Sequence, residues 1–580
     1  MAKYITFFMF LFFAFVIFNP MSCQIDSNFL ARKLGMRSSE YRVQIEHGIA
    51  MQTSDGTTLS ADIYHPKTNQ PKPTVLVRIP FSNTLKNRYF SNVIGKLWAG
   101  RGYHVIIQGT RGRYQSEGNY YPLINERQDG LDTLRWLKKQ PWYDGRLGMW
   151  GGSYFGYTQW VLADQVDPAP STYLIQLAST NFYEMLYPGG AFSLESALIW
   201  AFWSTENKER DFPPEMLKRG YDSFPLIQTD DRARRDIPFF NDWVNHYEED
   251  SYWKKINVRE NIKLLNAPVL LMAGWYDPFL PSQLADFTEI QKNAKPEIRD
   301  SSQLIIGPWG HARTVSFPDG FQSMHYRLES LAPSIPWFDQ HLLKRNDAEV
   351  MASPIKIYVM GKNIWREEKK WPLARTQYTP YFLRSSGNAN TLLGDGRLDL
   401  GSSNQEEIPD EYSYDPRNPA PSAGGTMIGP HAGIVKQNDI EERQDVLVYT
   451  SVPLEQDLEV TGPVKLVLYV STTAVNTDFT AKLVDVHPDG AAYNVCDGIL
   501  RRLYAGSGIP TEIQIDLWPT SIVFFKGHRI RLEVSSSNYP RFDRNPNTGR
   551  NIALETEPVV AKQKIYHSPL YPSRLILPVL

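Results

Sequence analysis

Residues 151–156, Gly-Gly-Ser-Tyr-Phe-Gly, have the types and spacing of a serine nucleophile held in a sharp turn. The short apolar segment 145–150 before them predicts a buried strand, and residues 157–163 after them can continue as a helix. A strand, a glycine-flanked serine and a helix make a nucleophile elbow, because the small residues leave room for a strained turn. We predict that Ser153 is a nucleophile, although an ordinary glycine-rich loop can have the same residues.

Two further residues that serine catalysis needs follow later strands of the chain. Asp277 comes directly after the apolar segment 267–276, and His311 follows a second apolar strand at 303–306. A neutral imidazole removes the proton of a serine hydroxyl, and a carboxylate fixes the imidazole tautomer and stabilises the imidazolium. Taken singly, Asp277 could cap a helix and His311 could be an ordinary loop histidine. Serine, aspartate and histidine at three strand ends, in this order, indicate an α/β-hydrolase triad.

Strands and helices alternate around these three residues. The pattern predicts a hairpin within residues 40–66, strands at 73–80, 103–108, 145–150 and 171–179, and helices at 85–99 and 124–139. Such alternation predicts a mostly parallel sheet with helices on both faces. Ligands of such sheets bind at the carboxyl ends of the strands, where Ser153 is expected.

The remaining segments divide the chain into further domains. Residues 186–265 are rich in aromatic and charged residues and predict a helical cap that shapes the substrate pocket, or a helical surface insertion with its own small core. Residues 353–580 alternate apolar and polar positions and predict an antiparallel sandwich or jelly roll of the galactose-binding-like type. We therefore assign an α/β-hydrolase core to residues 24–185 and 266–352, with the cap between them and the β-domain after them.

Composition limits the classes of function. The chain has 580 residues, of which 42% are hydrophobic, so it is long enough for two or three domains with large cores. Its formal charge of −2 gives no reason to expect a nucleic acid or an anionic membrane as partner. No phosphate-binding loop or metal-ligand cluster is recognisable, so we expect no cofactor and no metal. The expected partner is a small-molecule ester or amide, and the oligomeric state stays open.

The N-terminus has the pattern of a signal peptide at residues 1–23. Lys3 is followed by an almost wholly apolar run, residues 5–18, which is too short for a comfortable membrane span. Cleavage near Cys23 predicts export to the periplasm or the extracellular space, and lipid attachment at Cys23 is an alternative. The other cysteine of the chain is Cys496, so removal of the leader would leave no internal disulfide.

Four segments together resemble the cocaine esterase and X-Pro dipeptidyl-peptidase-like serine hydrolases. They are residues 151–156, the loop 111–118, residues 274–277 (Gly-Trp-Tyr-Asp) and residues 307–311 (Gly-Pro-Trp-Gly-His). This family also includes α-amino acid ester hydrolases and glutaryl-cephalosporanic acid acylases. The resemblance covers nearly the whole mature chain and implies an α/β-hydrolase core, a helical cap and a C-terminal β-domain.

The same resemblance implies a role for each site residue. Ser153 would be the nucleophile, Asp277 the acid and His311 the base, and the backbone N–H of Tyr154 would be one oxyanion donor. In this family a tyrosine hydroxyl usually supplies the second donor, but the chain has Phe81 at that position. Losing such a donor costs roughly 2–4 kcal/mol of transition-state stabilisation. A backbone N–H, Ser82, Asn83 or a bound water could replace it.

A second departure concerns the substrate. Residues 278–280 are Pro-Phe-Leu, whereas amino-ester hydrolases of this family have carboxylates after the catalytic aspartate. A substrate ammonium would lack its ion-pair partner there, so Phe279 and Trp275 are expected to line a pocket for a neutral or aromatic acyl group. We therefore expect an exported serine esterase or acylase. The alternatives are an X-Pro dipeptidyl-peptidase and a glycan-binding protein whose decayed site is marked by Phe81.

Overall fold

The computed structural model describes residues 27–81, 84–206, 210–345, 348, 351–429, 432–504 and 508–580. The predicted signal peptide with Cys23, and the candidate donors Ser82 and Asn83, lie outside these residues. The described chain divides into two compact units. The first contains the chain up to Tyr120, Asn125–Tyr173 and Ser330–Val350, and the second contains Tyr121–Ile124, Leu174–Glu329 and Met351–Leu580.

The first unit contains a mixed sheet in the order β1-β2-β4-β3-β5. Its strands are β1 (Val43–Gln52), β2 (Thr58–Pro66), β3 (Lys72–Ile79), β4 (His104–Gly109) and β5 (Tyr143–Gly152). The hairpin β1–β2 is antiparallel, and β3 runs parallel to both β4 and β5. Val75, Leu76 and Val77 of β3 are all fully buried, which explains the continuous apolar run, because a parallel strand is covered on both faces.

The second unit continues the same pattern of parallel strands. Strand β6 (Thr172–Gln176) spans the boundary between the units, and it is followed by β7 (Val269–Tyr276), β8 (Gln303–Gly310), β9 (Ile355–Val359) and β10 (Ile364–Glu368). The strands β7, β8 and β9 are parallel, and β10 is antiparallel to β9. Strand β9 therefore differs from the prediction, because we placed it in the β-domain and it pairs with the α/β sheet. Its alternating pattern could not identify the partner strand.

The helices of the described residues include the two predicted at 85–99 and 124–139 and several that we did not predict, such as Leu331–His341. In chain order they are α1 (Ser27–Lys33), α2 (Leu85–Ala99), α3 (Glu126–Leu137), α4 (Tyr154–Trp160), α5 (Phe182–Leu186), α6 (Leu194–Glu206), α7 (Pro214–Tyr221), α8 (Thr229–Ala233), α9 (Pro238–Asn245), α10 (Ser251–Lys254), α11 (Leu280–Asn293), α12 (Pro296–Arg299), α13 (Tyr326–Glu329), α14 (Leu331–His341) and α15 (Asn438–Glu441). Helices α6 to α10 lie within residues 186–265, the region predicted as a cap, and α5 ends at its first residue. Among the described residues, no helix combines the length and apolar character needed to cross a membrane.

The C-terminal region is all-β, as predicted. Its strands are β11 (Gln377–Arg384), β12 (Arg397–Asp399), β13 (Asp410–Tyr414), β14 (Leu447–Thr450), β15 (Leu458–Thr472), β16 (Asn476–Val486), β17 (Ala492–Leu503), β18 (Thr511–Phe524), β19 (Arg529–Ser535), β20 (Ala561–Tyr566) and β21 (Arg574–Val579). The ladders are antiparallel except for a single parallel pair between β12 and β14. Val464, Leu466 and Leu468 of β15 are buried at alternate positions, as expected for a strand with one face on the core.

Candidate active site

Ser153 lies in the strained turn that the glycine pattern predicts. Its backbone has φ 57° and ψ −128°, a conformation that non-glycine residues rarely adopt and that costs on the order of 1–3 kcal/mol. At Gly151 (φ +153°) an added Cβ would lie 2.3 Å from the Cβ of Phe155, so a side chain does not fit there. The N–H of Gly156 donates to the Ser153 carbonyl at 2.9 Å. Helix α4 thus begins directly after the serine, three residues earlier than predicted.

A buried ion pair supports the residue after the serine. The hydroxyl of Tyr154 donates to Glu126 Oε1 at 2.7 Å, and Glu126 Oε2 lies 2.9 Å from Arg78 Nη2. Arg78 also donates to Gln108 Oε1 at 3.1 Å. Burial raises the pKa of Glu126, while the nearby Arg78 and the Tyr154 hydroxyl oppose that shift. These contacts hold the Tyr154 side chain in place. The backbone N–H that we predict as an oxyanion donor belongs to this residue.

Phe81 packs beside the serine turn through its ring. The ring centroid lies 5.2 Å from that of Phe155 in an edge-to-face arrangement, and the Phe81 carbonyl accepts the N–H of Tyr114 at 2.9 Å. The side chain has no hydrogen-bond donor. Phe81 is therefore held close to the elbow strand and helix of its unit, but its ring cannot supply the second oxyanion donor of the family.

Asp277 and His311 form a buried hydrogen-bonded pair in the second unit. His311 Nδ1 lies 2.6 Å from Asp277 Oδ2, and the N–H of Phe279 donates to Asp277 Oδ1 at 2.8 Å. Asp277 is fully buried and His311 is 7% exposed. Both carboxylate oxygens are thus engaged, so the carboxylate has one orientation. A carboxylate fixed in this way keeps the proton of a neutral imidazole on Nδ1.

Close packing of the two strand ends explains the Gly-Pro-Trp-Gly-His segment. At Gly274 on β7 an added Cβ would lie 2.4 Å from the Trp309 carbonyl oxygen, and at Gly307 on β8 it would lie 2.6 Å from the Trp309 ring. Trp309 itself is buried. The two glycines therefore allow β7 and β8 to approach each other and let the tryptophan fold over its own strand. This packing places Asp277 and His311 at adjacent strand ends.

An aromatic group lies next to the histidine. The Phe279 ring centroid is 5.6 Å from that of His311 and 6.0 Å from that of Phe182 on α5, the helix that leads into the cap. Further cap aromatics continue from Phe182, namely Trp200, Phe239 and Trp243. Trp275 does not belong with them, because its indole N–H donates to the Tyr358 carbonyl at 2.8 Å and its ring packs on Trp371. Of our two pocket residues, only Phe279 is placed beside the histidine.

A buried aspartate anchors the start of the cap. Asp286 on α11 accepts the backbone N–H of Thr180 at 2.9 Å and the Thr180 hydroxyl at 2.5 Å. It also accepts Arg259 Nε at 2.9 Å, and the same guanidinium binds Glu184 on α5 through Nη2 at 2.7 Å. Charged and bidentate hydrogen bonds of this kind restrict geometry strongly. They hold α5, and with it Phe182, against the helix that follows Asp277.

Comparisons with known proteins identify the family of this chain. Residues 55–313 match the X-Pro dipeptidyl-peptidase (S15 family), and residues 348–576 match the X-Pro dipeptidyl-peptidase C-terminal non-catalytic domain. The cocaine esterase of Rhodococcus sp. (strain MB1 Bresler) is 36% identical over 572 residues, which cover 92% of this chain and 98% of that esterase. This chain belongs to the cocaine esterase and X-Pro dipeptidyl-peptidase-like family. It is a serine hydrolase with esterase or peptidase activity, which confirms the resemblance seen in the sequence.

Two solved structures have the same fold as this chain. An aminopeptidase from a marine sediment Thaumarchaeota archaeon is 24% identical and has a TM-score of 0.77, with 93% of this chain and 97% of that chain covered. An α-amino acid ester hydrolase is 22% identical with the same TM-score, and 97% and 100% of the two chains are covered. At this level of identity the likeness establishes the α/β-hydrolase fold with its C-terminal β-domain.

Ser385, His567 and two carboxylates form a hydrogen-bonded cluster in the β-domain. Ser385 Oγ lies 3.3 Å from His567 Nε2, and His567 Nδ1 lies 2.8 Å from Glu407. However, Asp410 also lies 3.0 Å from His567 Nε2 and accepts the Ser385 hydroxyl at 2.7 Å. Burial alone would lower the pKa of His567, but the hydrogen bonds and charges of Asp410 and Glu407 raise it overall. Both ring nitrogens of His567 lie within hydrogen-bond distance of a carboxylate, so neither is directed at the serine alone as a catalytic base would be.

The sequence analysis missed the residues that support the site. Arg78 was considered only as the first residue of the segment Arg-Ile-Pro-Phe at 78–81, and Glu126 and Asp286 belong to no motif that we used. The sequence feature that could have identified them is a charged residue within a segment predicted to be buried, because buried charges need partners. Ser153, Tyr154 and Phe81 lie in the first unit, whereas Asp277, His311 and Phe279 lie in the second.

Proposed function

We propose that this chain is an exported serine esterase in which Ser153, His311 and Asp277 form the catalytic triad. The observation that carries the proposal is the buried 2.6 Å contact between His311 Nδ1 and Asp277 Oδ2. It leaves Nε2 of the neutral ring as the basic nitrogen. The strained backbone of Ser153 at the end of β5 supports the same assignment.

In the proposed acylation step, Ser153 Oγ attacks the ester carbonyl carbon while His311 Nε2 takes the hydroxyl proton. The carbonyl π electrons move to the oxygen, and the N–H of Tyr154 stabilises the resulting oxyanion. Collapse of this tetrahedral intermediate breaks the bond to the leaving alkoxide, which receives the proton from His311. An acyl–Ser153 ester and a free alcohol result. Asp277 stabilises the imidazolium that exists between the two proton transfers.

Deacylation repeats these steps with water as the nucleophile. His311 Nε2 removes a proton from the water, whose oxygen attacks the acyl carbon and again generates an oxyanion. When the intermediate collapses, the bond to Ser153 Oγ breaks and the histidine returns the proton to the serine. The products are the carboxylic acid and the regenerated enzyme, so the net reaction consumes one ester and one water.

For the substrate, we propose a neutral ester whose acyl part is aromatic. The aromatic side chain of Phe279 lies beside His311 and continues into the cap through Phe182. Apolar and aromatic walls bind an uncharged ring better than an ammonium, which would need a carboxylate partner. The relative from Rhodococcus is by name a cocaine esterase, which supports an ester as the class of substrate. An X-Pro amide is the alternative, since the family match includes dipeptidyl-peptidases.

A substrate screen tests this assignment. We expect kcat/KM to be higher for a p-nitrophenyl ester with an aromatic acyl group than for p-nitrophenyl acetate, an aminoacyl ester or an X-Pro anilide. Phe279→Leu should lower the aryl-to-acetyl ratio by about tenfold, because a smaller apolar side chain removes part of the wall. Trp275→Phe is the matched control, since Trp275 packs on Trp371, and it should leave the ratio unchanged. A preference for aminoacyl esters or X-Pro anilides would overturn the proposed substrate class.

Phe81→Tyr should raise kcat for poor leaving groups. The new hydroxyl would supply the donor that the family usually has, and an oxyanion donor acts in the transition state rather than in the ground state. We expect an increase of about tenfold or more for an alkyl ester or an anilide, with little change in KM, and a smaller gain for p-nitrophenyl esters. Phe90→Tyr is the control. It adds the same hydroxyl on α2, where the ring lies 6.3 Å from that of Trp150, and it should leave kcat unchanged. Equal rates for Phe81→Tyr and the parent on every substrate would contradict this role.

Export rests on the N-terminal pattern of a charged residue followed by an apolar run of 14 residues at 5–18. We propose that the mature protein begins near Gln24 or has lipid on Cys23. Mass spectrometry of the protein from its native host measures this directly. An intact Met1 terminus would contradict the proposal.

A further inference from the structure

Three potential metal ligands lie in neighbouring turns of the β-domain. Asp485 is next to the last residue of β16, His487 follows the end of that strand, and His528 directly precedes β19. His528 Nδ1 lies 2.9 Å from Asp485 Oδ1, and His487 Nε2 lies 3.5 Å from Asp485 Oδ2. One ligand atom from each of the three residues lies within 4.8 Å of the other two.

The backbone positions of these ligands are fixed. Asp485 pairs with Tyr493 on β17 and with Ile530 on β19, so it is held from both sides. The N–H of His487 donates to the Ala491 carbonyl at 2.8 Å and thereby closes the β16–β17 turn. The N–H of His528 donates to the Phe525 carbonyl at 3.0 Å. Because hydrogen bonds set all three Cα positions, the ligands are preorganised and would lose little freedom on binding an ion.

Their spacing is that of ligands around one small cation. In a tetrahedral zinc site with bonds of about 2.0–2.2 Å, neighbouring ligand atoms are roughly 3.3–3.6 Å apart. The separation of 2.9 Å between His528 Nδ1 and Asp485 Oδ1 is a few tenths of an ångström below this range, and the separation of 3.5 Å between His487 Nε2 and Asp485 Oδ2 lies within it. Small side-chain movements would therefore seat an ion. Asp485 is buried, whereas the side chains of His487 and His528 are 27% and 12% exposed. The cluster therefore has a buried carboxylate at its bottom and a solvent-exposed side through which an ion can enter.

We propose that Asp485, His487 and His528 bind a divalent transition-metal ion, with Zn²⁺ as the best fit and water at the open position. Two imidazoles and one carboxylate suit Zn²⁺, while Ca²⁺ and Mg²⁺ prefer oxygen ligands throughout. The ion would connect the β16–β17 turn to the turn before β19. This is a structural link in the β-domain, so it is independent of the proposed triad.

Zinc binding to the full-length protein tests the site. The protein is treated with EDTA, dialysed and titrated with ZnCl₂ in a calorimeter, and its melting temperature is followed by scanning fluorimetry. We expect one strong binding event per chain and a rise in melting temperature of roughly 5 °C at 100-fold excess over Kd. Asp485→Asn and His487→Gln should each weaken that binding by at least about 100-fold and remove the thermal shift. Asp485→Asn keeps the side-chain shape, and His487 is partly exposed, so both variants should fold.

A matched control separates this site from general histidine binding. His47 lies 3.2 Å from Asp62 Oδ2 and is largely exposed, so His47→Gln removes another histidine–aspartate pair and should bind zinc like the parent. Unchanged zinc binding by Asp485→Asn and His487→Gln, or no binding by the parent, would overturn the proposal. If a variant does not fold, Co²⁺ added to the parent decides the question. Intense visible bands of four- or five-coordinate Co²⁺ support the site, and the weak bands of six-coordinate Co²⁺ oppose it.

Discussion

Ser153→Ala is expected to lower kcat for an activated ester by on the order of 10⁴- to 10⁶-fold while the protein stays folded. Alanine keeps the Cβ, so the backbone at φ 57° and ψ −128° faces the same steric demands as before. Only the oxygen that would become acylated is lost. The measurements are kcat and KM with a p-nitrophenyl ester, and the mass increase after treatment with a fluorophosphonate. The parent should gain one adduct, and the variant should gain none.

Ser171→Ala is the matched control for this prediction. Ser171 lies in the same unit, and its hydroxyl oxygen accepts the N–H of Leu147 of β5 at 3.3 Å. Removing that hydroxyl should leave kcat within about twofold of the parent, since a single hydrogen bond contributes roughly 1 kcal/mol to stability and this one takes no part in the proposed chemistry. Adduct formation or substantial turnover by Ser153→Ala would mean that another residue is the nucleophile.

Asp277→Asn should lower kcat by on the order of 10³- to 10⁴-fold, with a much smaller effect on KM. The N–H of Phe279 donates to Asp277 Oδ1, so an asparagine would place its carbonyl oxygen there and turn its NH₂ group towards His311. An NH₂ group donates to Nδ1, and the imidazole proton would then move to Nε2. A ring with its proton on Nε2 cannot accept the serine proton. The variant loses the base although every side chain keeps its place.

A second histidine–aspartate pair provides the control. His246 Nδ1 lies 2.5 Å from Asp250 Oδ2 on the partly exposed surface of the cap. Asp250→Asn makes the same chemical change away from the predicted site, so kcat should stay within about twofold of the parent. The discriminating measurement is the ratio of kcat values at neutral pH, with melting temperatures recorded for both variants. Similar losses in the two variants would indicate damage to the fold rather than the loss of a catalytic tautomer.

Much of the fold could be predicted from local pattern. The hairpin within 40–66, the helix Leu85–Ala99 and the strand Val269–Tyr276 match their predicted ranges closely. Apolar runs identify these elements because a buried strand or helix face must exclude water along its whole length. Strand β9 shows where pattern fails. Its alternating residues predicted a strand correctly, but the choice between two neighbouring sheets depends on contacts far away in the chain.

The predicted site shows the same division between local and distant information. The positive φ of Ser153 and the pairing of Asp277 with His311 lie where the glycine motif and the strand ends indicate. We predicted Trp275 together with Phe279 as a pocket residue. The structure places the Trp275 ring on Trp371 and its indole N–H on the Tyr358 carbonyl, contacts that the sequence does not reveal. The charged partners Arg78 and Glu126 also escaped prediction, since their pairing joins β3 to α3 across the fold.

The sequence by itself determined much of the order of strands, turns and helices, the serine turn, and the acid and histidine at strand ends. Each of these depends on residues close together in the chain, where glycine content and apolar spacing directly restrict the backbone. Only the tertiary structure decided which side of β7 faces the cap, and which arginines pair with the buried carboxylates of Glu126 and Asp286. It also brought His528 to Asp485 and His487 by pairing β19 with β16. No spacing rule predicts that cluster, because strand pairing rather than chain proximity sets the distances between its ligands.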